Sequence, residues 1–251
     1  MSASDIRMMG KESSFRKDSM NIDASNNPAL WDEEYSGKGT IPSSRRVQPS
    51  HALVRAMNSV KMHAGTALDL GCGNGRNSIF LEKCGFKVKA VDFSNLALDL
   101  TKQKIKNDKK ENNIEAVKFN VKRDLYKEFS NVDLILDSYC SCHIIDIEEK
   151  KDFLHNAYKS LVKGGVYIKI HLDSEDQYYI NKKIYSDSYG FISLDESNNI
   201  MKRHYNLNIF NKMAGEFFYM KDCNKVYFND VVQGESFERS VFFTILKKGD
   251  S

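Results

Sequence analysis

The sequence predicts an α/β fold: a doubly wound, mostly parallel sheet of seven strands, with antiparallel C-terminal strands and an extra hairpin. Three observations predict it. From Thr66 to Leu172, apolar runs of strand length alternate with helical periodicities across short loops, the pattern of βα units laid on a parallel sheet. The first run ends in a glycine cluster, Gly71, Gly73 and Gly75. Beyond Leu172 the helical regularity weakens and aromatic strand-like runs take over.

The elements follow in order. Residues 1–27 are polar and lack a period, so a disordered arm is expected there. Residues 28–65 read as a cap segment, with Trp31 and a helix from His51 to Met62. The main domain is expected over 66–251. TALDL is its first strand, and Arg76–Cys84 a helix with Ile79 and Phe80 inward. KVKAVDF follows as a strand, and Ser94 or Asn95 caps a helix through Lys106. AVKFNV and VDLILDSY are the third and fourth strands. Asp146 and Glu149 open a helix as an acidic capping box. Leu154, Ala157, Tyr158 and Leu161 form its buried face, and Gly164-Gly165 should end it. VYIKIHL is the fifth strand. Ser193 then caps a helix through about Arg203. NLNIF, GEFFYMK, KVYFNDVV and RSVFFTILKK read as strands, the middle pair joined into a hairpin by Asp222-Cys223-Asn224. Insertions that build a substrate pocket are expected at about 173–192 and 212–238.

Composition excludes several classes. The 251 residues balance 37 Lys and Arg against 34 Asp and Glu, a net charge of +3. That argues against a dedicated nucleic-acid binder, which carries clustered positive charge. Five cysteines do not form an even disulfide framework, so a reducing, cytoplasmic setting is expected. No apolar run reaches the roughly 20 residues of a membrane span, and no secretory h-region is visible. A monomer or homodimer is expected, with no membrane partner.

The informative string is LDLGCGNGRNS, Leu68 to Ser78. A strand enters the glycines and a helix leaves them, so backbone can approach a ligand closely. Asp69 at the strand end would repel a pyrophosphate but attract an ammonium. Asp92 ends the next strand, 21 residues after Gly71, where a carboxylate can take both hydroxyls of a ribose. The third glycine of a dinucleotide fingerprint is replaced by Arg76, and the Walker lysine-serine pair is missing. The ligand these residues suggest is a nucleoside with an amino-acid-like end.

The string resembles motif I of the class I S-adenosylmethionine-dependent methyltransferases, over about Thr66 to Leu172. VDFS is similar to the family's second-strand acid, and LVKGGVYI to its lead into the fifth strand. Within the family the string looks most like the small-molecule branch that includes tellurite-resistance and thiopurine methyltransferases. The resemblance implies a Rossmann-like sheet and S-adenosylmethionine as cofactor. It places Asp69 near the methionine ammonium, Gly71, Gly73 and Gly75 under the cofactor, and Asp92 with Phe93 at the ribose. It places Asp124 and Leu125 at the adenine, with Ser138 also at the cofactor. Asn77 would reach the cofactor carboxylate, or simply cap its helix turn.

Methyl transfer is an in-line displacement, so the enzyme mainly aligns nucleophile, methyl and sulfur. In this fold the acceptor lies beyond the fourth strand, here LDSYCSCHIID. Asp137, Tyr139 and His143 are the first catalytic candidates. His143 is the leading base, by its reference pKa near 6.5, and His171 on the fifth strand is the second. DSYC lacks the Asn/Asp-Pro-Pro-Tyr/Phe motif of nucleic-acid amino methyltransferases. Nearly half of the Phe and Tyr residues lie between Asp173 and Ser240, which suggests a pocket for a planar or apolar acceptor, with Tyr178 and Tyr179 in it. Trp31 and Tyr35 are expected to close over the site, and Arg46 to bind a carboxylate. Two alternatives are compatible with the sequence. Cys140 and Cys142 could serve metalloid or thiol methylation, since thiolates favour soft species. The chain could also be a non-catalytic cofactor-binding subunit.

Overall fold

Residues 68, 70, 134–136, 166–168 and 170 are almost wholly shielded from solvent. Such two-faced burial is what a parallel strand inside an α/β sandwich requires. The computed structural model describes residues 26–62, 64–232 and 234–249. The N-terminal arm expected over residues 1–27 lies, up to residue 25, outside the described residues.

Seven strands form the main sheet: β1 (Gly65–Leu70), β2 (Phe86–Asp92), β3 (Ile114–Lys118), β4 (Val132–Ser138), β5 (Leu161–Leu172), β9 (Tyr219–Val232) and β10 (Glu235–Lys247). Their order is β3-β2-β1-β4-β5-β10-β9. The first five pair in parallel, and β10 runs antiparallel to both β5 and β9. One core lies under α2 (His51–Ser59), α3 (Arg76–Lys83) and α4 (Asn95–Asn107). The other lies under α5 (Leu125–Glu128), α6 (Ile147–Ser160) and α8 (Leu207–Ala214). A separate antiparallel sheet, β6 (Lys183–Asp187), β7 (Gly190–Asp195) and β8 (Ile200–Tyr205), follows β5 and the short α7 (Gln177–Ile180). No helix among the described residues is long and apolar enough to cross a membrane.

The Ser94 and Asp146 caps read from sequence form. Ser94 Oγ accepts from the Ala97 amide at 3.0 Å. Asp146 Oδ1 accepts from Glu148 and Glu149 at 2.9 and 3.2 Å. Four expectations are corrected. The helix expected over 193–203 is the β7–β8 hairpin, while NLNIF is the start of α8, capped by Asn206. Asp222-Cys223-Asn224 is no turn: β9 runs straight through it, paired with Thr244 and Ile245. As an edge strand with one free side, β9 tolerates polar residues that a central strand would not. Finally, α6 ends at Ser160, before the two glycines.

The cap segment is built from α1 (Pro28–Glu33), a wide turn over Glu34–Lys38, and a loop into α2. Asp32 Oδ1 docks α1 on the start of α4, accepting from Ser94 Oγ at 2.6 Å and the Leu96 amide at 3.0 Å. Glu34, 2% exposed, folds the loop around its carboxylate. It accepts from the Thr40 and Ile41 amides at 3.0 and 2.9 Å, and from Asn198 Nδ2 at 2.9 Å. The inserted sheet thus holds the cap segment over the C-terminal ends of β1 and β4.

Candidate active site

A cleft enclosing about 940 Å³ of free space, part of it open to solvent, lies at those strand ends. Its floor is the loop after β1. Gly71 and Gly73 have φ of +63° and +58°, a region that side-chain-bearing residues avoid. A Cβ on Gly71 would lie 2.7 Å from Cys140 Sγ, and one on Gly73 would lie 2.4 Å from the Tyr35 hydroxyl. Both positions therefore need glycine for backbone angle and for space. Gly75, also left-handed, is the N-cap of α3.

Two buried acids flank the loop. Asp92 lines the cleft; its Oδ2 accepts from the Gly73 amide and its Oδ1 from the Ser94 amide, both at 3.0 Å. Each oxygen keeps a lone pair for a further donor. Burial pushes the Asp92 carboxyl up, and those amides pull it back. Asp69 lies just under the loop, 1% exposed. Its Oδ2 accepts from Ser78 Oγ at 2.6 Å, while Oδ1 has no partner among the described residues. Burial raises its pKa to about 7.

These groups fit S-adenosylmethionine. Asp69 does not itself line the cleft; its buried, unpartnered oxygen beneath the loop suits an ammonium that reaches the loop, whose charge would restore the carboxylate. Asp92 suits two hydroxyls, and the glycine floor admits close approach. Trp31, Tyr35, Asn77, Phe93 and Ser138 line the same cleft. Ser138 Oγ is buried without a partner among the described residues. Asn77 Oδ1 is already occupied, accepting from the Ser50 amide at 3.1 Å and so holding the start of α2. Asp124 and Leu125 do not line the cleft. Asp124 is exposed and pairs with Lys127, and Leu125 is wholly in the core. The segment that reaches the cleft after β3 is instead 119–122, including Phe119 and Asn120. The chain turns away one helix start earlier than the expected acid.

A second cavity, about 420 Å³ including open space, adjoins the first. Arg76, Tyr139 and His143 line both. Tyr139 takes φ +60°, a rare conformation for a bulky residue and one that concentrates at functional sites. His143 packs edge-on against Trp31, with ring centroids 4.7 Å apart. Its Nδ1 lies 2.9 Å from the Met201 carbonyl oxygen. A carbonyl only accepts, so Nδ1 carries the proton and Nε2 is the free acceptor. Burial and the nearby Lys202 push the His143 pKa down to about 3. His143 is thus neutral throughout the physiological range. The expectation from its reference pKa, a titration near 6.5, is corrected.

Of the other catalytic candidates, the structure brings neither Asp137 nor His171 to the cavities. Strand alternation is the reason. Leu172 lines the second cavity, so its neighbour His171 faces the opposite core, with Tyr205, Phe210 and Phe242 around it. Asp137 likewise points away from the Ser138 side. Its Oδ1 accepts from Lys169 Nζ at 2.8 Å and from the Ser141 amide at 3.0 Å, and its Oδ2 from the Tyr167 hydroxyl at 2.6 Å. Asp137 thereby anchors the turn Ser141–His143 that carries His143 to the cleft.

Tyr179 and Arg46 line the second cavity, whereas Tyr178 packs behind it, its hydroxyl accepting from Lys182 Nζ at 2.9 Å. Cys140 sits against Gly71. Cys142 is buried, its Sγ donating to the Tyr139 carbonyl at 3.0 Å. Burial raises both thiols, which keeps them protonated, whereas soft-metal binding needs thiolates. Sequence reasoning missed Lys202, Arg239 and Phe228, which also line the second cavity. The one signal was the basic run Lys202-Arg203-His204 inside an apolar context.

Residues 67–165 match the family described as Methyltransferase domain. Over 116 residues, 46% of this chain, the sequence is 28% identical to the ribosomal protein L11 methyltransferase of Staphylococcus aureus. That stretch is 34% of the relative, so the chain spans about a third of the length of the curated relatives it matches. Three solved structures share the fold. One was described in work on the conversion of a disulfide bond into a thioacetal group during echinomycin biosynthesis (TM-score 0.69, 15% identity, covering 89% of this chain and 92% of that one). A second is the Burkholderia thailandensis 1,6-didemethyltoxoflavin-N1-methyltransferase, with 1,6-didemethyltoxoflavin and S-adenosylhomocysteine bound (0.62, 15%, 91% and 88%). The third is TehB from Haemophilus influenzae (0.59, 14%, 87% and 67%). Residues 67–165 thus match a methyltransferase domain, and the chain has the fold of solved S-adenosylmethionine-dependent methyltransferases.

Proposed function

We propose that the chain transfers a methyl group from S-adenosylmethionine to a small-molecule acceptor. The observation that carries this is the pair of adjoining cavities that share Tyr139 and His143. One holds the glycine loop and Asp92, suited to the cofactor. The other is small and aromatic, suited to an acceptor of limited size. When bound, the cofactor supplies an already activated methyl. The residues of this chain then have to bind, orient and exclude water. Trp31 and Tyr35, on the cap segment, cover the cleft from solvent. Asp92 and the loop amides fix the nucleoside end. His143 Nε2 accepts a hydrogen bond from the acceptor's O–H or N–H and turns its lone pair toward the first cavity. With a pKa of about 3, it acts as a positioning acceptor rather than as a base that holds the proton: as the methyl–sulfur bond breaks and the methyl–acceptor bond forms, the acceptor's proton is released to water at the open side of the cavities. The small-molecule neighbours with this fold support the reading, and the low net charge argues against a nucleic-acid acceptor.

Calorimetry with S-adenosylhomocysteine tests it. A hydrogen bond to a charged group is worth about 1.5–3 kcal/mol. Asp92→Ala should therefore weaken binding by roughly tenfold to a few hundredfold. Unchanged affinity in a folded variant would remove Asp92 from the nucleoside site.

A further inference from the structure

The second cavity has an unusual charge pattern for a space meant for an apolar acceptor. Arg46, Arg76, Lys202 and Arg239 line it, and among the described residues no acidic side chain does. Three of the four cations are accounted for. Arg239 Nε donates to Asp176 Oδ2 at 2.9 Å and its Nη1 to Asp230 Oδ2 at 2.9 Å. Arg46 Nη2 also meets Asp230 Oδ2, at 2.5 Å. Arg76 Nη1 donates to the Gln48 carbonyl at 2.7 Å, and Arg76 faces the cofactor cleft as well.

Lys202 is different. It is 2% exposed, and its ammonium has no hydrogen-bond partner among the described residues. The Tyr179 ring beneath it, 5.1 Å away, supplies only a partial counterweight. Asp195 favours the Lys202 charge from a distance but makes no hydrogen bond to it; its Oδ1 accepts from Ser197 Oγ at 2.9 Å and faces Lys182 Nζ at 3.8 Å, and its Oδ2 accepts from Thr40 Oγ1 at 3.3 Å. Burial pushes the Lys202 ammonium below the ordinary lysine range. A buried ammonium that makes no hydrogen bond is costly, and one that lines a cavity can regain those bonds from an anionic ligand.

We propose that the second cavity binds an acceptor bearing a single negative charge, a small carboxylate, with Lys202 as its counter-ion. The charge count selects the class. Lys202 is the one cation without a hydrogen-bond or ion-pair partner among the described residues that lines this cavity and not the cofactor cleft, so it matches a monoanion better than a phosphate monoester. Leu172, Phe228 and Val241 provide the apolar wall against which the rest of such a molecule packs. His143, on the boundary between the cavities, then meets the atom that is methylated, while Lys202 holds the carboxylate at the other end. Lys202 is thereby a specificity-determining residue for the proposed methyl transfer, and this inference rests on that reading.

The test titrates matched probes into the full chain saturated with S-adenosylhomocysteine, followed by NMR. Acetate, benzoate and 4-hydroxybenzoate are compared with acetamide, benzamide and 4-hydroxybenzamide, and benzoate with phenyl phosphate. At least one acid should bind saturably, at least about tenfold tighter than its amide. Lys202→Met should weaken that acid by about 10- to 100-fold, as expected for a lost charge-assisted bond. Lys202→Arg should retain most of it, and neither change should move S-adenosylhomocysteine affinity. The proposal is overturned if no acid binds, if amides bind as well as acids, if Lys202→Met keeps the acid affinity, or if phenyl phosphate outcompetes benzoate. Should Lys202→Met not fold, the acid–amide comparison on the wild type decides. Failure of S-adenosylhomocysteine itself to bind would count against the methyltransferase reading, and the acid–amide comparison on the unsaturated chain would still report on the anion site.

Discussion

Asp137→Ala is expected to cost about 3–5 kcal/mol of folding stability, the usual penalty for removing one partner of a buried ion pair. Asp137, Lys150 and Lys169 are all fully buried. Burial alone would push the Asp137 carboxyl up, but Lys169 and Lys150 outweigh it and hold the pKa at about 2. Lys150 donates to the Ser141 hydroxyl at 2.8 Å, and burial and Lys169 bring its pKa down to about 7. Without the carboxylate, Lys169 and Lys150 would share a sealed space with no counter-ion, and Lys150, held charged partly by Asp137, would give up its proton. Since a domain is stable by only about 5–15 kcal/mol, the loss is a large fraction of the total. It also frees the turn that carries His143, so acceptor binding should fail with it. Urea denaturation measures the effect. A loss under about 1 kcal/mol would mean that the cluster is solvated or that the lysines are already neutral.

His171→Phe should do the opposite and stabilise the fold, increasingly so in acid. His171 is fully buried among aromatic rings, and neither ring nitrogen has a partner among the described residues. Phe removes those unsatisfied atoms, each of which costs about 1–3 kcal/mol when buried. Burial drives the His171 pKa well below 6.5, so the sign of the pH effect is fixed. Below its unfolded pKa of about 6.5 the unfolded chain takes up a proton that the native chain refuses. The stability present above that pH is therefore lost as pH falls, at about 1.4 kcal/mol per pH unit. Between pH 6.5 and 5 the variant should gain a further ~2 kcal/mol over wild type. Parallel stability curves for the two proteins would show that His171 is not held neutral in the core. Turnover should survive, since His171 lines neither cavity.

The first five strands, the helices after the first, second and fourth of them, and the glycine floor of the cleft were legible because their signals are local. The glycine loop, Asp69 and Asp92 lie within one βαβ stretch, and their proposed roles follow from strand ends and a tight turn. The Ser94 and Asp146 caps are likewise decided within three residues. What lay after Leu172 was decided by tertiary context. The stretch Ile200–Tyr205 is buried at every position, so it has no alternation to betray a strand, and its basic residues mimic a solvated helix. Asp222-Cys223-Asn224 carries turn chemistry, yet thirteen residues of β10 pair with β9 across it. The acceptor side of the site was hidden for the same reason. Lys202 and Arg239 reach it from the inserted sheet and from the last long strand, so no short motif could bring them together. His143 was found, but its pKa depends on Lys202 and Met201, which sequence alone does not place beside it.

A crystal structure with S-adenosylhomocysteine tests the account most directly. The ribose hydroxyls should lie on Asp92, the amino group on the free oxygen of Asp69, and the sulfur at the boundary formed by Tyr139 and His143, facing the cavity that Lys202 lines. A sulfur turned away from that cavity, or a ribose that makes no contact with Asp92, would contradict it.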